Sequence, residues 1–78
     1  AQAATAPLVP LAVTLGGLDE LPPDARRDAL RRLHADRVAR AAHWAAFPPH
    51  PGSAGAAVRL LQGVAELERD TLAALLDP

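Results

Sequence analysis

Apolar positions along this chain recur with a helical period, most cleanly near the C-terminus. From Ala54 to Leu76 the residues Ala57, Leu60, Leu61, Val64, Leu67, Leu72 and Leu75 fall on one face, with Arg59, Gln62, Glu66, Arg69, Asp70 and Ala73 opposite. This predicts an amphipathic helix over 54–76. Ser53 is its expected N-cap, because a serine hydroxyl can accept from the orphan N–H groups of a first turn.

The longest stretch that can be one uninterrupted helix is 23–47, PDARRDALRRLHADRVARAAHWAAF. Ala, Arg and Leu dominate it, and these residues lose little rotamer freedom on becoming helical. Pro22-Pro23-Asp24 suits a helix start, where proline's missing N–H costs nothing and an acid meets the positive end of the dipole. At 100° per residue Leu30, Leu33, Ala41, Trp44 and Ala45 share a stripe with Arg26, His34 and Arg37. The packing seam of this helix is therefore mixed and not purely apolar.

Upstream, PLVPLAVTLGGL reads as a short buried helix over 6–16, with Pro10 in its first turn and Gly16-Gly17 at its end. Residues 1–5 read as a disordered lead-in. PPHPGS has the length that joins antiparallel neighbours, and nothing reads as a strand. The expected fold is all-α, a short N-terminal helix plus a long antiparallel helical hairpin in one domain over 6–78.

The 78 residues are 50% hydrophobic, but much of that is alanine, which buries little area. A chain this small ordinarily needs disulfides, a metal or a partner, and it has no cysteine. A homodimer is the expectation, with Leu30, Leu33, Ala41, Leu60, Leu61, Val64, Leu67, Leu72 and Leu75 forming the core and dimer interface. The formal net charge of −1 excludes a chain-wide basic stripe, so no nucleic-acid binding is expected from it. Apolar runs are broken before about 18 residues, so no membrane span is expected either.

Catalytic and metal chemistry find little footing. His34, His43 and His50 lie nine and seven residues apart, neither of which puts two imidazoles one helical turn apart as paired ligands require. No catalytic site, metal or cofactor is expected, and the chain does not read as an enzyme. Trp44 and Phe47 are conspicuous in a chain with 3% aromatic residues. They serve either as a core anchor at the hairpin end or, with Arg37 beside Trp44 on the wheel, as a stacking wall for a planar hydrophobic ligand.

The order PLVPLAVTLGGL, LPPDARRDALRRLHADRVAR, an irregular gap and AVRLLQGVAELERDTLAALLD resembles the C-terminal domain of PadR-type transcriptional regulators. The resemblance implies a cytoplasmic dimerisation and effector-sensing region of a bacterial repressor, whose DNA contact comes from a preceding winged helix. It also implies comparison of Trp44 with a tryptophan near which some relatives bind planar compounds between subunits. A second resemblance, of LPPDARRDALRRL to carrier-protein regions of modular megasynthases, implies a docking or dimerisation element instead.

Overall fold

A computed structural model describes residues 9–77. The expected lead-in over 1–5, positions 6–8 of the expected first helix, and Pro78 lie outside the described residues. The described residues form three helices and no strand: α1 (Val9–Leu18), α2 (Pro23–Ala45) and α3 (Gly52–Leu76). Helices α2 and α3 pack against each other as the expected antiparallel hairpin.

The helix ends differ from expectation for identifiable reasons. Helix α1 runs through Gly16 and Gly17 to Leu18, because neither glycine takes the left-handed conformation that would turn the chain out. The Asp19 N–H still donates to the Leu15 carbonyl, and tighter turns from Glu20 to Gly17 and from Leu21 to Leu18 then close the helix ahead of Pro22. Helix α2 stops at Ala45, short of the expected Phe47. The residue before a proline is pushed away from the α region, and Phe47 precedes Pro48.

Ser53 is not the N-cap of α3. The helix opens at Gly52 behind Pro51, with no side-chain cap. Gly52 has φ +66, a left-handed value that glycine adopts without the Cβ penalty. A second glycine is required one turn on. Gly55 is buried, and a Cβ there would overlap the backbone carbonyl of His50, so the loop crosses directly over the first turn of α3.

The hairpin seam mixes small, large and charged residues. Ala41 on α2 and Ala65 on α3 are both buried, and Leu72 is the one large side chain wholly removed from solvent among the described residues. On α2 the half-buried positions are Arg26, Ala29, Leu30, Leu33, His34, Arg37 and Trp44, which matches the expected mixed stripe except that Ala45 is exposed. On α3 the line Gly55, Val58, Gln62, Ala65, Arg69, Leu72 and Leu76, separated by alternating steps of three and four residues, is buried or half-buried, as are Val64, Glu66, Glu68 and Thr71 beside it. That face is not the apolar face expected from periodicity. Leu72 belongs to both, whereas Leu60, Leu61, Leu67 and Leu75 are exposed and Val64 is half-buried.

The result is a thin, elongated hairpin. Its extents are 47 × 27 × 19 Å and its radius of gyration is 14.1 Å, against about 11.5 Å for a compact domain of this length. Gly55→Ala tests the loop crossing. The forced overlap should cost about 1–3 kcal/mol, seen as a lower thermal midpoint, while Gly63→Ala, where a Cβ meets nothing, should raise it. Equal midpoints for the two variants would contradict the close approach.

Candidate functional site

Three surfaces of the hairpin could do more than hold the fold together. The first is polar. Arg37 Nε donates to Glu68 Oε2 at 3.0 Å across the α2–α3 seam, and its Nη1 donates to Asp36 Oδ2. The Arg37 and Glu68 side chains keep only 13% and 12% of their accessible surface, so this pair lies largely out of water. Burial by itself lowers the affinity of the guanidinium for its proton. The hydrogen bonds and charges of Glu68 and Asp36 outweigh that, and the Arg37 pKa stands above its ordinary value. A raised folded-state pKa means that, while Glu68 and Asp36 are ionised, this contribution is fully present below arginine's ordinary range and is lost as the pH rises above it.

The second surface is aromatic and lies at the hairpin turn. The Trp44 and Phe47 ring centroids are 5.4 Å apart, His43 lies edge-on to Trp44 at 5.0 Å, and His50 lies 5.4 Å from Phe47. The His50 Nδ1 is 2.7 Å from the Pro48 carbonyl, which can only accept, so Nδ1 carries a proton. Beneath these rings is a pocket of about 200 Å³ whose walls include Trp44, Phe47, Gly55, Val58 and Arg59. It is smaller than the roughly 300–1,000 Å³ of ordinary ligand sites. Arg59, not Arg37, is the cation that lines it.

The third is the outer side of α3. Leu60 is 68% exposed, Leu61 44%, Leu67 42% and Leu75 48%. Ala57 and Ala74 are exposed on the same side. Thr71 donates its hydroxyl to the Leu67 carbonyl at 2.8 Å, which satisfies its polar group within the helix. A larger groove of about 600 Å³, lined by Leu15, Leu18, Arg26, Leu30, Leu75 and Leu76 among others, meets this face at Leu75.

The structure thus brings Trp44 and Phe47 together and sets Arg37 elsewhere, engaged with Glu68. Leu30, Leu33, Ala41 and Leu72 lie in the seam between helices, and Leu60, Leu61, Leu67 and Leu75 lie outside it. Gly55, Gln62 and Arg59 were missing from the expected site. Gly55 and Gln62 belong to the three-four pattern of the inner face, which a hydrophobicity count passes over because glycine, glutamine and arginine occupy three of its positions.

Among the described residues, no three His, Asp or Glu side chains are placed to hold a metal ion, and no helix is long and apolar enough to cross a membrane. Comparison of the chain with protein-family models, curated proteins and solved structures finds no match.

The ion pair can be tested by a double-mutant cycle in urea. Arg37→Met strands the Glu68 carboxylate and should cost about 2–4 kcal/mol. Combining it with Glu68→Leu should recover most of that loss. Single variants that each cost less than about 0.5 kcal/mol would place the pair with ordinary surface bridges.

Proposed function

We propose that this chain is a homodimerisation module of a bacterial transcriptional repressor, the role implied by its resemblance to the C-terminal domain of PadR-type regulators. It has no catalytic part of its own in this reading, and it works in the cytoplasm, where such regulators meet DNA through a separate domain. The observation that carries the dimer is the outer face of α3. Ala57, Leu60, Val64, Leu67, Thr71 and Ala74 recur at alternating steps of three and four residues, the spacing of a coiled-coil seam.

That seam spans eighteen residues from Ala57 to Ala74, about 25 Å of helix, and Leu61 and Leu75 lie on one flank with the Arg37-paired Glu68 between them. Contiguous exposed apolar surface of this extent is unusual on a protein that works alone. A second copy is the occupant that fits best. The stripe is straight, carries no unpaired charge along its centre, and alternates Leu60 and Leu67 with the smaller β-branched Val64 and Thr71. Covering it also supplies what a small alanine-rich core lacks.

The aromatic pocket is a narrower part of the same proposal. A planar hydrophobic ligand on Trp44 would need Phe47 or His50 to move aside, since the pocket at rest is small. Saturable quenching of Trp44 fluorescence by flat dyes, abolished by Arg59→Ala, would support sensing at this place. If no dye quenches, Trp44 is an anchor only, and Trp44→Ala should then cost about 3–5 kcal/mol of stability.

Sedimentation equilibrium tests the dimer. The wild-type chain should give twice its 8.1 kDa mass at micromolar concentration. Leu60→Gln with Leu67→Gln should yield monomers that keep their helical circular dichroism, because neither side chain is used inside the hairpin. A monomeric wild type, or a dimer indifferent to both substitutions, would overturn the proposal.

A further inference from the structure

We infer that two copies of the chain pair through α3 in antiparallel order about a two-fold axis crossing between Val64 and Leu67, an inference that rests on the homodimer proposed above. The orientation follows from charge and from side-chain size beside the seam. The N-terminal half of α3 carries one charged residue, Arg59, whereas the C-terminal half carries Glu66, Asp70 and the Arg37-paired Glu68 against Arg69, with Asp77 just past its end. A parallel pair would set the two acid-rich halves side by side. An antiparallel pair sets each acid-rich half beside the half that holds Arg59, and it opposes the helix dipoles.

Asp70 makes the choice specific. It flanks the seam, is exposed, and among the described residues pairs with its neighbour Arg69 alone, at 3.0 Å. In parallel order the heptad places Asp70 against Leu75 of the partner subunit, where a carboxylate would lose water to an apolar side chain. In antiparallel order it lies beside Gly63 of the partner subunit, which leaves room for solvent, and Arg59 of the partner subunit comes within about one helical turn.

Antiparallel order also grades the layers by size. Leu60 meets Thr71 of the partner subunit, Val64 meets Leu67 of the partner subunit, and Ala57 meets Ala74 of the partner subunit. Each layer then pairs a larger side chain with a smaller one or two small ones. The whole stripe is covered, with neither end projecting past the other.

The chain has no cysteine, so single engineered cysteines report the order directly. Val64→Cys lies beside the axis and should give a covalent dimer under mild oxidation. Ala57→Cys alone should not, since its copies are separated by seventeen residues, about 25 Å along the axis. Ala57→Cys mixed with Ala74→Cys should cross-link as a heterodimer. Efficient self-linking of Ala57→Cys, with none in the mixture, would establish parallel order and overturn this inference while sparing the dimer. A dimer by sedimentation that cross-links at none of these positions would place the interface off α3 and overturn both. A monomer by sedimentation would remove the homodimer itself.

Discussion

Helix α3 is apolar around more of its circumference than one neighbouring helix can cover. A helix packed on a single partner buries a stripe of about a third of its surface, and α2 takes the stripe running from Gly55 to Leu76. The larger side chains Leu60, Leu61, Leu67 and Leu75 are left on a second stripe, rotated by roughly 120° at 100° per residue. The inner line of α3 gives the hairpin seam Gly55, Gln62, Ala65 and Arg69 beside Val58, Leu72 and Leu76. Most other features of the molecule, including its thinness and its small core, follow from that division.

Why the smaller face turns inward is a matter of closeness and polarity. Ala41 and Ala65 let the two helices approach, and Gly55 lets the connecting loop lie against the first turn of α3. The Arg37–Glu68 pair then fixes which residues meet across the seam, because each charge loses its partner if the helices slide by a turn. Such pairs contribute little net stability and more to selecting one arrangement. Leucines forced into the same seam would hold the helices farther apart and leave both charges unmatched.

The architecture was legible in the sequence, and so was the seam of α2. The 3.6-residue period identified α3, helix-forming composition between prolines identified α2, and the mixed stripe of Leu30, Leu33, Arg37, Ala41 and Trp44 is the one that packs. The inner face of α3 was not legible, because a hydrophobicity pattern finds the most apolar side and the hairpin uses a different one. Ser53 was an attractive cap by residue type, yet the left-handed turn at Gly52 starts the helix before it. Arg37 looked like a neighbour of Trp44 on a wheel, but a wheel for α2 alone carries no information about Glu68 on α3.

The central claim is that the outer stripe of α3 is covered by a second copy when the protein is folded. Unfolding then separates two chains, and stability depends on protein concentration by mass action. Thermal denaturation followed by circular dichroism over a roughly hundredfold dilution series tests this directly, since a factor of that size is worth about 2.7 kcal/mol for a saturated partner. The account predicts a midpoint that falls by several degrees on dilution; a midpoint unchanged across the series, with the helices intact at the lowest concentration, would contradict it.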